Sequence, residues 1–149
     1  MRSLVTCYGV ALVVFTATAH GSDSPGNQSS ADAGRRIYAA ECAACHGPRG
    51  EGQPDWVRPN AAGEMPAPPH DQEGHTWKHS DAMLYHVVKH GWRDPYNKTE
   101  RLTMPAFGKT LSPGDIRDVV EYLKTLWTAE QRNFQMEESE QTAFPSEVH

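Results

Sequence analysis

Cysteine is scarce in this 149-residue chain. There are three, and only Cys42 and Cys45 lie outside the first twenty residues. That excludes a disulfide-rich scaffold, and with no second cysteine pair it also excludes a four-thiolate zinc site. Long apolar runs are missing too. The longest covers residues 4–15, which is short for a full membrane span. Basic residues do not dominate, since 14 Lys and Arg face 19 Asp and Glu for a net charge of −5. Without a basic stripe the chain has no electrostatic footprint for nucleic acid. Internal repeats and strand-like alternation are absent as well. Proline and glycine, in contrast, are plentiful, at eleven and twelve residues. Long irregular loops are therefore expected, in a small fold that needs a staple to stabilise it.

The organisation follows from these shifts in composition. Arg2, the apolar run and the small residues Ala17-Thr18-Ala19 read as a secretory signal over residues 1–19, with cleavage favoured over an uncleaved membrane anchor. Cys7 lies inside this segment. Residues 20–31 read as a flexible leader and residues 130–149, with Glu137, Glu138, Glu140 and Glu147, as a disordered acidic tail. A single domain over residues 32–129 remains. In it, Asp32 is placed to cap a first helix carrying Ile37, Ala40 and Ala44 at helical spacing. Ser80 caps a middle helix that Gly91 stops. Ser112, Pro113 and Asp115 open a last helix with an apolar stripe of Ile116, Val119, Val120, Leu123, Leu126 and Trp127. Residues 47–74 form a loop broken by Gly and Pro, of a length that is uncommon unless functional. The fold class is all-α, with three to four helices and long loops.

The chemistry sits in Cys42-Ala43-Ala44-Cys45-His46. Cysteines at i and i+3 share one helix face, where two sulfurs reach the two vinyl groups of a haem, and the next residue brings an imidazole under the iron. This is the spacing of covalent haem attachment. A zinc half-site, a thioredoxin-like pair and a structural disulfide are the bland readings, and the histidine and the missing βαβ pattern argue against them. His46 is thus one axial ligand of the iron. For the sixth position the candidates are Met65, Met83, Met104 and Met136. Met104 is preferred because it sits in a loop just before the last helix and is stiffened by Pro105; Met65, also followed by proline, is its rival. A thioether there raises the reduction potential, as suits an electron carrier. The chain also holds eight histidines. His70, His75 and His79 raise the alternative of a copper or zinc site, although no carboxylate or thiolate pattern accompanies them.

These residues resemble class I cytochromes c, the small monohaem electron carriers of bacterial periplasm and mitochondria. Gly34-Arg35-Arg36-Ile37-Tyr38 with the haem segment and Gly47 is similar to that family's first helix and attachment site. Met104-Pro105-Ala106-Phe107-Gly108 and the helix ending Tyr122-Leu123-Lys124-Thr125-Leu126-Trp127 are similar to its methionine loop and last helix. The likeness spans residues 33–128. It implies the cytochrome c fold wrapped around one covalent haem c, with His46 and Met104 on the iron. It also implies contact between the first and last helices through Gly34 and Tyr122. A loop proline carbonyl, from Pro68 or Pro69 with Pro69 as the candidate, would orient His46, and Trp77 and His79 would belong to the haem environment. One departure stands out: the family's Gly-Pro-x-Leu stretch is replaced by Met65-Pro66-Ala67-Pro68-Pro69-His70. The implied function is a non-enzymatic, monomeric periplasmic carrier that exchanges electrons with other redox proteins, membrane complexes among them. The alternatives are a haem subunit of a larger dehydrogenase or oxidase and a haem enzyme or sensor with an open sixth position.

Overall fold

In the computed structural model, residues 25–95, 97–98 and 101–141 are described. The expected signal segment (1–19), the first part of the expected leader (20–24) and residues 142–149 of the expected tail lie outside the described residues. Among the described residues five α-helices follow in order: α1 (Pro25–Glu41), α2 (Ala43–His46), α3 (Asp81–His90), α4 (Pro113–Lys124) and α5 (Ala129–Glu140), with a 3-10 turn at Thr76–Lys78 before α3. Among the described residues, extended pairing is confined to one isolated bridge, Trp92 to Met104. No described helix is long and apolar enough to cross a membrane. The all-α expectation holds.

The helix α1 packs chiefly on α4. Its buried positions Ala31, Gly34 and Tyr38, with Cys42 just past its end, are spaced i, i+3, i+7 and i+11 on one face. The expected stripe of Ile37, Ala40 and Ala44 is not the buried one, since Ala40 and Ala44 are exposed. Hydrophobicity alone misplaced the face because its key member is a glycine. A Cβ on Gly34 would lie 1.9 Å from the Asp118 carbonyl oxygen and 2.9 Å from Tyr122 Cβ. Hydrogen at that position lets the two helix backbones approach, and Gly34 meets Tyr122 as expected. Tyr38 then stacks obliquely on Tyr122, ring centroids 5.1 Å apart. From α4, Ile116, Val119, Val120, Tyr122 and Leu123 are buried.

The start of α1 differs from expectation. The helix begins at Pro25, so Asp32 lies inside it and is no cap. Proline is compatible with a first turn, and residues 26–32 contain no later proline to stop it. The other two caps are as expected. The Ser80 hydroxyl accepts from the Met83 amide and Gly91 ends α3. Ser112 and Asp115 form a reciprocal capping box with Pro113 in the first turn.

Residues 130–140, expected to belong to a disordered tail, lie in the helix α5. Its acidic composition hides how it is held, which is by polar contacts more than by an apolar stripe. Thr128 and Gln131 form its capping box. Gln135 is buried and its amide donates to Asp81 Oδ1 at 2.6 Å and to the His79 carbonyl at 3.3 Å. The Ser139 hydroxyl accepts from the Asp81 amide at 3.0 Å. Asp81 Oδ2 in turn accepts from Lys124 Nζ at 2.8 Å, so one carboxylate ties α3, α4 and α5 together. Phe134 adds an edge-on contact with Trp77, centroids 5.5 Å apart.

Gly34→Ala should destabilise the protein by about 1–3 kcal/mol, as overpacking does, measured by urea unfolding of the haem-loaded protein. A second expectation concerns pH. Burial pulls the Lys124 amine down, but hydrogen bonds and charge from Asp81 and Glu121 outweigh it and hold the amine above its ordinary value of 10.5. The stabilisation from this raised pKa is fully present below pH 10.5 and is lost as pH rises through the folded value. The fall in stability as pH rises above 10.5 should therefore be smaller in Lys124→Met than in the parent, measured by urea unfolding at a series of alkaline pH values.

Candidate functional site

Helical hydrogen bonding runs almost unbroken through the cysteine segment. The Cys42 amide donates to the Tyr38 carbonyl at 2.9 Å, and the His46 amide to the Cys42 carbonyl at 3.0 Å. Of the two cysteines, Cys42 is buried and Cys45 exposed. Tyr38 fixes the turn after the segment, its hydroxyl donating to the Gly47 carbonyl at 3.0 Å.

His46 is buried, 7 % exposed. Its Nδ1 lies 2.9 Å from the Pro68 carbonyl oxygen. A carbonyl only accepts, so Nδ1 carries the proton and Nε2 keeps its lone pair. Burial holds the ring below the usual histidine range despite the Pro68 hydrogen bond, and a neutral imidazole is the form that ligates a metal.

Pro68 reaches His46 because the long loop folds back on itself. The His70 amide donates to the Gly50 carbonyl at 2.6 Å, and the Gln53 amide to the Ala67 carbonyl at 2.9 Å. Gly52 lets the two arms close: its φ is +70°, and a Cβ would sit 2.5 Å from the Pro69 nitrogen. Pro68, not Pro69, is therefore the orienting proline. The Pro69 carbonyl accepts instead from the Thr76 hydroxyl at 3.3 Å. Consecutive carbonyls in an extended chain point to opposite sides, so only one of the two can face His46.

Met104 lies in the second loop, in two-way backbone pairing with Trp92, each amide donating to the other's carbonyl at 3.0 Å. Its side chain packs against the buried cluster Tyr85, Val88 and Ile116, beside Phe107 and Leu111. The Phe107 and Gly108 amides fasten the loop to the end of α3 through the Val88 and Lys89 carbonyls. Met83 and Met136 are exposed on α3 and α5. The Met65 amide donates to Asp94 Oδ2 at 2.9 Å, and Arg101 pairs with Glu64 through two nitrogens. These contacts join the loop carrying Pro68 to the loop carrying Met104. Sequence reading missed both Asp94 and Arg101; their partners lie 29 and 37 positions away, and no local pattern marks them.

The remaining candidates separate. The Trp77 indole N–H donates to the Gly74 carbonyl at 3.1 Å, and its ring packs on the core cluster that includes Tyr38 and Cys42. The Trp77 indole donor is thus engaged within its own turn, and its ring takes part in packing the core. His79 is half-buried, edge-on to His75 with centroids 5.3 Å apart, and His75 stacks on Trp56. Burial is the main cause that lowers the pKa of both. His70 is elsewhere, stacked on His46. The copper or zinc reading of these three histidines therefore fails: no group of three or more His, Cys, Asp or Glu side chains among the described residues is placed to hold a metal ion.

Two thiols on one turn followed by a neutral imidazole with Nε2 available suit a covalently attached haem, and the residues present fit it. Such a fold and site define a c-type haem-binding domain. A family model described as Cytochrome c matches residues 31–127, and the chain belongs to that family. Its members bind haem c covalently, so the cofactor is haem c with its iron; Cys42 and Cys45 are the two thiols at the spacing such attachment needs. A curated relative, the cbb3-type cytochrome c oxidase subunit FixP of Bradyrhizobium sp. (strain ORS 278), is 30% identical over 95 residues, 62% of this chain. The chain spans 29% of that relative's length. No solved structure matches the chain.

Replacing Cys42 or Cys45 singly by alanine should leave haem on the denatured chain through one thioether, with a shifted pyridine haemochrome band. The double variant should release all of it into acidified butanone, read by absorbance.

Proposed function

We propose that this protein is an exported electron carrier, working in the periplasm between other redox proteins, with His46 and Met104 as the axial ligands of its haem iron. The bound haem supplies a reversible one-electron couple. The protein's residues supply burial, two axial donors and their orientation. The observation that carries the reading is the placement of Met104, whose backbone is paired in both directions with Trp92 and whose side chain rests on Tyr85, Val88 and Ile116. A sixth donor held this firmly keeps the position filled, which favours electron transfer over binding of a substrate or gas at the iron. His79, half-buried near the first loop, is the proposed partner of a haem propionate. The net charge of −5 suits brief, salt-sensitive encounters with partners.

A second reading is supported by the relative, whose printed name makes it a subunit of an oxidase. On that reading the chain works as a haem-bearing part of a larger oxidase. Purification from native membranes at low and high salt separates the two, because a carrier travels alone at both.

Met104→Ala should lower the reduction potential by an amount on the order of tenths of a volt, within the ~0.8 V range that axial ligands span. It should also make the reduced protein bind carbon monoxide readily. Met65→Ala, the control, should leave both unchanged. The reverse pattern assigns the ligand to Met65, and ready carbon monoxide binding by the parent protein sinks the carrier reading.

A further inference from the structure

We propose that His70 is a positioning residue for the haem ligand: it fixes the ring plane of His46 by stacking on it, and thereby tunes the ferric state. The inference rests on the reading of His46 as proximal ligand. With Pro68 identified as the hydrogen-bond acceptor, the loop aligns with the Gly-Pro-x-Leu pattern of similar cytochromes so that His70 stands where leucine is usual. A leucine there fills volume. The imidazole does more.

The two rings lie 4.1 Å apart between centroids and only 24° from parallel, a face-to-face contact. His70 itself has little freedom. Its Nδ1 is 2.8 Å from Thr76 Oγ1, and that hydroxyl donates onward to the Pro69 carbonyl. The hydroxyl proton is thus engaged, so Nδ1 of His70 is the donor to Thr76 and the ring is the neutral Nδ1–H tautomer. The main chain of His70 is pinned as well. Its amide donates to Gly50 at 2.6 Å, and its carbonyl accepts from the Trp127 indole at 2.8 Å. Tyr38 closes the far side, edge-on at 6.2 Å. Elements on both sides of the haem segment therefore converge on one ring.

Geometry explains why a second constraint on His46 matters. The hydrogen bond to Pro68 directs one edge of the imidazole but leaves the ring a hinge about that direction. A parallel ring against its face removes the hinge motion. The plane of an axial imidazole sets the splitting of the ferric iron's d levels, and oxidation places partial positive charge on the ligated ring. The π-face of a neutral imidazole stabilises that charge; leucine does not. His70 should therefore favour the ferric state.

The test uses the haem-loaded protein and three variants: His70→Leu, His70→Phe and Thr76→Val. Readouts are the electron paramagnetic resonance g values of the ferric form and the reduction potential. His70→Leu should keep covalent haem, change the g anisotropy and raise the potential. His70→Phe, which retains a stacked ring, should restore g values close to the parent's. Thr76→Val should shift them in the same direction as His70→Leu, by less. A filler role would alter unfolding stability while leaving g values and potential at the parent's, and that result for His70→Leu overturns the proposal. If His70→Leu does not accumulate, Thr76→Val decides, and parent-like g values in it overturn the proposal. Failure of the underlying reading looks different: the parent itself would then lack the low-spin ferric spectrum of a six-coordinate haem.

Discussion

The hydrogen bond from His46 Nδ1 to the Pro68 carbonyl organises most of what surrounds it. It determines which nitrogen of His46 is free, and it demands that a residue 22 positions downstream return to the haem segment. That return shapes the whole first loop. Gly52 must adopt positive φ so that its arm can lie against Pro68 and Pro69, and backbone bonds from residues 67–71 to residues 50–53 hold the arms together. A loop of this length is costly in conformational entropy. Here backbone bonds between the two arms and side-chain acceptors such as Asn60 and Asp94 satisfy part of its polar groups, and a covalent cofactor offsets more of the cost.

The helices provide the frame that makes this loop reproducible. Contact between α1 and α4 at Gly34 sets where Tyr38 and Cys42 stand, and Trp127, just beyond α4, reaches across to hold the His70 carbonyl. The first-loop geometry is therefore read from both ends of the domain. Met104 is controlled from a different cluster, Tyr85, Val88 and Ile116, with Asp94 and Arg101 bridging to the first loop. Two packing units, each with one candidate ligand, are linked by polar contacts that sit on loops. The α5 helix adds a third support through Asp81, where buried polar groups are all paired with one another. Such a network is favourable only when every member is satisfied, and among the described residues no buried side-chain nitrogen or oxygen lacks a partner.

The residues of the chemistry were legible in the sequence because they are local. Three atoms that must meet one haem come from five consecutive positions, and helical spacing alone puts Cys42 and Cys45 on a common face. The caps at Ser80 and Ser112 and the stripe on α4 were legible for the same reason. Failures fell where local rules and long-range packing diverge. The buried face of α1 turns on a glycine, which no hydrophobic pattern registers. The acidic stretch 129–140 looks too polar to pack, yet Gln135 and Ser139 find partners on α3. Pro68 and Pro69 are neighbours of identical chemistry, and only the direction of the chain separates their roles.

What the sequence by itself determined is the donor set: two thiols and an imidazole at fixed spacing, with methionines downstream as candidate sixth donors. It determined this because covalent attachment is a matter of bond lengths along a few residues. Only the tertiary structure decided how those donors are aimed. It selected Pro68, drew His70 out of a supposed metal cluster and laid it against His46, and engaged the Trp77 indole with Gly74. Each of these outcomes depends on a backbone carbonyl or a ring face, and the direction of such groups exists only once distant segments have packed.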